Sequence, residues 1–365
     1  MPTFSRTRRR RWRTTGAMAA AIAVGVTTAC SPGEPDPADA GACGGQTVRI
    51  GFLKSSPSDA PFILADELGY FAEEGIKPDF YTFDSAAKMV APLGAGHLDV
   101  GGGAPSAGLY NAVARGVAIR IVADKATLEP GYGYMPLLVR KDLVDSGAVS
   151  GPADLAGRTV AEPAQGTATS STLQAIMDSA GKRYDDVKHT YMRMSEHATA
   201  LGNGAIDASM TTEPTATLAE ERGVAVRMVD PSGQYPGQQL ATVLYSEDFA
   251  QDNPELGDCF MRSFLKAVRT YMAAVPGGDW TGPRAEELSE IIGENVGMAP
   301  ALLRRTVPTH MDPNGQVNAE SLNRDYRFFA GQRFLENEVS IDALIDRTFA
   351  RKAASELGVV GDTGS

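Results

Sequence analysis

The chain writes one stretch twice. Leu93 to Val122 reads LGAGHLDVGGGAPSAGLYNAVARGVAIRIV, and Leu201 to Val229 reads LGNGAIDASMTTEPTATLAEERGVAVRMV. With one single-residue gap, Leu93/Leu201, Gly94/Gly202, Gly96/Gly204, Asp99/Asp207, Arg115/Arg222, Gly116/Gly223, Val117/Val224, Ala118/Ala225, Arg120/Arg227 and Val122/Val229 fall in register. A domain takes roughly 100–200 residues, so two copies of one unit in 365 residues imply two similar lobes.

Each lobe reads as α/β. Thr47 to Leu53 alternates and is β-branched, which predicts the first strand. Lys54 to Asp59 is turn chemistry, and Ala60 to Glu74 has helical spacing, with Pro61 suited to the first turn and Gly75 to the stop. A strand over Lys77 to Phe83 follows, then Asp84-Ser85 as the cap of a helix from Ala86 to Leu93. Within the first repeat, Leu98-Asp99-Val100 reads as a short strand, Gly101 to Gly103 as a loop, Pro105 to Arg115 as a helix and Val117 to Ala123 as a strand. Strands alternating with helices mean βαβ crossovers, hence a largely parallel sheet.

The pattern breaks at Glu129 to Tyr134, and Met135 to Arg140 is extended, a first passage between lobes. A new α/β unit runs from Asp154 through the strand ending at Ala161, the loop Glu162 to Ala168, a helix from Thr169 to Ser179, a strand over Val187 to Met192 and the second repeat. Asp230 to Gln239 is a polar connector, and the strand Leu240 to Tyr245 crosses back. The remainder reads as helices over Pro254 to Ala274, Pro283 to Gly293, Ala299 to Thr306, Ala319 to Phe334 and Ile341 to Leu357. The expected division is residues 47–132 and 241–365 for one lobe and 133–240 for the other.

The N-terminus is a targeting segment. Six arginines lie within the first 13 residues, followed by an apolar run from Gly16 to Val26 and then Thr27-Thr28-Ala29-Cys30. That order is a secretory signal peptide over residues 1–29, and the run falls short of the roughly 20 apolar residues that span a bilayer. Removing six arginine charges takes the formal charge from −11 to about −17, and so acidic a body excludes nucleic acid as partner. Ala29-Cys30 resembles a bacterial lipobox, which implies lipid on Cys30, although Thr27 stands where an aliphatic residue is usual. Residues 30–46 are rich in Pro, Gly, Ala and Asp and read as a flexible tether. Cys43 and Cys259 then remain as an even pair in an oxidising compartment, either a disulfide or two separate buried thiols.

The motifs exclude several chemistries. His97, His189, His197 and His310 lack the spacings that zinc uses, and Asp312 to Gly315 lacks the oxygen pattern of a calcium loop, so no metal and no cofactor is expected. Gly101 to Gly103 completes no G-x-G-x-x-G. Ala104 to Gly108 approaches a nucleophile elbow, but the second copy carries Thr212 to Ala216 with no serine, so no catalytic residue is assigned.

The strand–loop–helix units do offer helix starts, each with about four unpartnered amides and roughly half a positive charge, and so a natural seat for an anion. Four such starts stand out: Ser56 to Asp59, Ser85, Gly102 to Ala104 and Gln165 to Thr169. Each serine or threonine there is either a ligand donor or a plain cap. Glu213, in Thr211-Thr212-Glu213-Pro214, either caps its helix or meets a donor on a ligand.

These residues resemble a family. Strand RIGFL, the helix matched by Ala60 to Ile76 with its GYFAEEGI segment, L-G-x-G-x-x-D twice, Gly166-Thr167 and Glu213-Pro214 are similar to the periplasmic substrate-binding proteins of ABC importers, in the nitrate/sulfonate/taurine branch that also holds thiamine-pyrimidine-precursor binders. The resemblance covers about residues 47–358. It implies the type II periplasmic-binding-protein fold, two α/β lobes joined by two crossing hinge segments, with a small solute closed between them. It also implies a permease and an ATPase as partners, a monomer exported and anchored to the membrane by lipid, and Ser56, Ser58, Ser85, Gly103, Thr167 and Glu213 as ligand-facing positions. The expected solute is small and anionic or zwitterionic. The rival is an enzyme on the same scaffold, resembling a menaquinone-pathway dehydratase or a thiamine-pyrimidine synthase, or else a binder of aminopyrimidines or aromatic acids.

Overall fold

The structure is a computed structural model that describes residues 41–53 and 56–361. The signal segment, Cys30 and most of the tether lie outside the described residues, as do Lys54 and Ser55. Among the described residues, ten strands form two sheets. They are β1 (Gln46–Phe52), β2 (Ile76–Thr82), β3 (Val100–Gly103), β4 (Ile119–Leu128), β5 (Leu137–Arg140), β6 (Thr159–Glu162), β7 (Lys188–Tyr191), β8 (Ala208–Met210), β9 (Ala225–Val229) and β10 (Gln238–Ser246).

The sheet orders are β2-β1-β3-β10-β4 and β7-β6-β8-β5-β9. They are the same sheet built twice. β1 pairs in parallel with β2 and β3, and β6 with β7 and β8. β10 then lies antiparallel between β3 and β4, and β5 antiparallel between β8 and β9. The repeated sequence is therefore one strand–helix–strand unit in each sheet, split by the strand on which the chain passes between sheets. Asp99 and Asp207 show why the motif recurs. Each precedes the repeat's first strand and accepts a backbone amide of the neighbouring parallel strand, from Arg49 N at 2.8 Å and from Thr159 N at 2.9 Å. A buried amide needs such a partner.

Several sequence expectations shift. Gly101 to Gly103 is not a loop but most of β3, because both faces of that strand are pressed closely. A Cβ would come within 2.8 Å of Leu93 at Gly101, 2.3 Å of Asp59 at Gly102 and 2.4 Å of Leu244 at Gly103. The helix expected over Ala60 to Glu74 is two, Ala60–Glu67 and Tyr70–Glu73, parted at Gly69 with φ 78°. Asp84 and Ser85 do not cap the next helix, Ala87–Gly94, whose N-cap is Ala86; Asp84 instead pairs with Lys88 at 2.6 Å. The helix after β3 is Ala107–Ala114, and Ser106 caps it by accepting from Leu109 N at 3.2 Å. The last predicted helix divides into Ile341–Leu344 and Thr348–Glu356.

The long helix Pro254–Ala274 buries Phe260, Phe264, Leu265 and Val268 against the first sheet and its helices, where Phe62 and Phe71 meet its aromatic rings at 5.4–6.0 Å. Each such side chain taken out of water stabilises by about 1.5–3 kcal/mol. A disulfide joins Cys43 to Cys259 on this helix, and Arg262 pairs with Glu74 at 2.7 Å beside it, so the start of the fold is pinned to its late helical block. That block does not serve the first sheet alone. On the helix Ala319–Gly331, Asp325 accepts from Tyr235 OH at 2.6 Å, while Phe328 packs edge-on against Tyr184 at 5.2 Å beside the second sheet.

Candidate functional site

In each sheet the parallel strands end at loops that precede helices, and the two sets of loops face each other. The loop after β3 and the loop after β6 touch: Ser106 and Thr167 form an isolated antiparallel bridge, and Ala107 N donates to Gly166 O at 2.8 Å. Gly166 has φ 67°, and a Cβ there would fall 2.7 Å from that of Ala107, so the approach requires glycine. The two sheets are thus linked directly through these loops. Two cavities of about 250 and 210 Å³ open elsewhere, one lined by Val122, Asn314, Arg347 and Arg351, the other by Phe52, Ile63, Glu67 and Phe80, and neither reaches these loops.

The wall from the first sheet is organised by Lys125, near the carboxyl end of β4 and 1% exposed. Its Nζ donates to Ser58 Oγ at 2.7 Å and to Asp59 Oδ1 at 2.5 Å. Ser58 Oγ lies 2.9 Å from Ser56 Oγ, and Asp59 Oδ2 accepts from Leu53 N at 2.9 Å. Gly102 makes room, since a Cβ on it would strike Asp59 and stand 3.2 Å from Lys125 Nζ. Burial raises the Asp59 carboxyl above its usual value, against the lowering pull of Lys125 and the Leu53 amide. A buried ion pair recovers its desolvation cost only with good geometry and extra hydrogen bonds, and here Ser58 and Leu53 supply them.

The wall from the second sheet is organised by Glu162, the last residue of β6 and fully buried. Its Oε1 accepts from Tyr184 OH at 2.8 Å and lies 3.0 Å from His189 Nδ1, whose ring stacks on Tyr184 at 4.0 Å. Its Oε2 accepts from Thr169 Oγ1 at 3.4 Å, and Thr169 Oγ1 lies 2.8 Å from Thr167 Oγ1. Thr167 also donates to Ala164 O at 3.2 Å. Thr211, buried just after β8, has a hydroxyl without a partner among the described residues.

The sequence-derived site residues fare differently. Ser56 and Ser58 stand together over Lys125, and Thr167 faces the opposite lobe. Ser85 is half-buried between the exposed Asp84 and Lys88, and its carbonyl accepts from Lys88 N at 3.1 Å. The Asp84 carboxyl is held below the usual range, first by Lys88 and more weakly by Arg193 of the second lobe. Gly103, having no side chain, can offer only backbone, and a Cβ on it would fall 2.4 Å from Leu244. Both oxygens of Glu213 are engaged within the protein: Oε1 accepts from Arg227 Nη2 at 2.5 Å and Val307 N at 3.1 Å, and Oε2 from Thr217 N at 3.1 Å. It caps its helix and anchors the C-terminal segment.

The profile of the NMT1/THI5-like family matches residues 56–277, well over half of the chain. The chain belongs to that family. It is 26% identical over 274 residues to the taurine-binding periplasmic protein of Escherichia coli (strain K12), covering 74% of this chain and 81% of that protein. Among solved structures, the alkanesulfonate-binding protein SsuA from Xanthomonas axonopodis pv. citri bound to MOPS is 20% identical with a TM-score of 0.65, over 83% of this chain and 98% of its own. The nitrate-binding protein NrtA from Synechocystis PCC 6803 is 14% identical with a TM-score of 0.69, over 87% and 90%. Their likeness shows that this member of the family has the periplasmic-binding-protein fold.

Sequence reasoning gave Lys125, Asp59 and Glu162 no individual role at the site. The signal for Lys125 is present in the sequence: Asp124-Lys125 sits in the middle of a strand, IRIVADKATL, that is buried at every position except Arg120. Two adjacent charges in such a strand have to be paired or used. Glu162 gave less, being one carboxylate at a strand end.

Proposed function

We propose that the chain is the solute-capturing subunit of an ABC importer, exported and held to the membrane by lipid on Cys30, which closes its two lobes over a small anionic or zwitterionic solute of the sulfonate, taurine or nitrate kind. The observation that carries this reading is the meeting of Ser106 with Thr167 between loops of the two sheets, of which the first sheet's loops also carry hydroxyls backed by Lys125 and the second sheet's carry hydroxyls backed by Glu162. Ser56, Ser58 and Thr167 supply the side-chain contacts, Gly103 contributes backbone, Ser85 stands at the rim, and Glu213 shapes the second wall from behind. The segments over residues 129–136 and 230–237, which join the two sheets, are the hinges. The chain acts as a monomer that presents its closed form to a permease and ATPase.

Capture rather than turnover is supported by the taurine-binding relative and by the chemistry at hand. Cys43 and Cys259 are both spent on the disulfide, so among the described residues no thiol is free as a nucleophile. A thermal-shift panel of taurine, alkanesulfonates, nitrate, aromatic carboxylates and aminopyrimidines tests the reading. A bound solute at 100 times its dissociation constant adds about 2.7 kcal/mol, giving a clear rise in melting temperature. Conversion of any panel compound by the protein, with no stabilisation, would overturn it.

A further inference from the structure

The larger of the two cavities, about 250 Å³, lies at the β4 edge of the first sheet, apart from the loops of the candidate site. Its floor is apolar, made by buried Val122 of β4 and by Ala350 and Ala354 on the helix Thr348–Glu356. The segment Asn314 to Val317 forms one side. That side is fixed: Asp124 N donates to Gly315 O at 3.1 Å, and the Asn314 side chain clasps Val360 in both directions, donating to its carbonyl at 2.9 Å and accepting from its amide at 3.0 Å. Gly315 lets the segment lie close, since a Cβ on it would stand 3.2 Å from that of Ala350.

Arg347 and Arg351, one helical turn apart, complete the lining. Neither side chain has an ion pair or a hydrogen bond among the described residues, although the chain is acidic, with 45 Asp and Glu against 34 Lys and Arg. Their neighbours are paired: Lys352 with Asp258, and Arg262 with Glu74 and Glu356. Like charges at i and i+4 repel on a helix. Arg347 is also the N-cap residue, so both arginines stand where the helix start already carries partial positive charge. The carboxylates close in sequence are engaged elsewhere. Asp346 accepts from the Thr348 amide at 2.9 Å and hydroxyl at 2.6 Å, and Asp312 accepts from the amides of Asn314 at 2.8 Å and Gln316 at 2.9 Å. Positive potential with no counter-charge therefore borders an apolar floor.

We propose that this cavity is a second binding site, independent of what the cleft captures, and that it takes an aliphatic monocarboxylate of medium chain length. The carboxylate faces the guanidiniums of Arg347 and Arg351, whose planar forks match its two oxygens. The alkyl tail lies on Val122, Ala350 and Ala354. The volume falls below the roughly 300–1,000 Å³ of pockets for drug-sized ligands, which limits the tail.

Calorimetric titration of the purified protein with sodium butyrate, hexanoate and octanoate, and with octylammonium chloride as the charge control, tests the site. Each buried methylene tightens binding about threefold to fourfold. Octanoate is expected to bind at one site, roughly tenfold more tightly than hexanoate, and octylammonium not at all. Arg347→Gln combined with Arg351→Gln should weaken octanoate by about tenfold or more, with no fall in melting temperature, because the variant removes a repulsion and breaks no pair. Thr167→Val, in the cleft loops, should leave octanoate affinity unchanged. Octanoate binding that survives the double arginine variant but is lost in Thr167→Val would place the ligand in the cleft and overturn the proposal. Equal binding of octylammonium, or no saturable binding of octanoate, would overturn it as well. Solute capture by the cleft is read separately by the thermal-shift panel and stands or falls on its own.

Discussion

Asp99 and Asp207 do the same work at matching places in the two sheets, each clasping a backbone amide of the next parallel strand within 2.9 Å. Replacing either by alanine strands a partly buried amide, which costs about 1–3 kcal/mol. Urea unfolding should show each midpoint falling with little change in slope. Asp99 also holds the half-exposed Arg49 guanidinium, but so solvated a contact adds little, and the two losses should be similar. A neutral result at either site would mean that the repeat records ancestry without a structural role.

The pair formed by Lys125 and Asp59 should behave as a unit. Lys125→Met leaves a buried carboxylate beside an apolar chain and is expected to cost about 3–5 kcal/mol. Adding Asp59→Asn should recover a large part of that loss, because a neutral amide needs no counter-charge. The account is falsified if the double variant is less stable than Lys125→Met alone.

The bridge from Cys43 to Cys259 spans a sequence separation of 216 residues and ties the first described turn to the helix Pro254–Ala274. Restricting so long a loop in the unfolded chain is worth about 2–5 kcal/mol. Reduction by dithiothreitol, or Cys43→Ser with Cys259→Ser, should lower the melting temperature by several degrees without loss of solute binding, since neither cysteine approaches the cleft loops. Loss of binding in the folded double variant would place the disulfide in the wrong part of the account.

Burial raises the Asp124 carboxyl to about 7, despite hydrogen bonds from the Asp312 amide, Thr127 and Gln239. The folded protein therefore binds a proton here at pH values where the unfolded chain does not. This group's contribution to stability is present below the unfolded value near 3.8 and is lost as pH rises through about 7. Asp124→Asn removes that dependence. The stability difference, wild type minus variant, should shrink from pH 5 to pH 8 by as much as a few kcal/mol. His197 and His310, whose values burial lowers, work in the opposite sense in both proteins and cancel in the comparison. A difference that grows with pH would show that the three donors outweigh burial.

What the sequence made legible follows from periodicity. Alternation located most of the strands and the repeat foretold two copies of one sheet, because burial on regular elements imposes those patterns. The helix Pro254–Ala274 was bounded to the residue by Pro254 and by the end of its apolar stripe. What failed to read were local decisions made by distant neighbours. Gly101 to Gly103 look like a loop until Leu93, Asp59 and Leu244 are seen to crowd them, and Glu213 looks available until Arg227 and Val307 arrive from other elements. The candidate site was legible as loops and helix starts. The charges behind those loops, Lys125 and Glu162, meet the hydroxyls only through tertiary contacts, so their roles do not show in the sequence.

The central claim is that the two lobes close on a small solute and release it unchanged. Calorimetric titration of the purified protein with taurine, alkanesulfonates and nitrate, followed by recovery of the solute, tests it most directly. The account predicts saturable heat fitted by a single site for at least one of these solutes, with all of the solute recovered intact. No heat from any of them, or a solute recovered as a different compound, would contradict it.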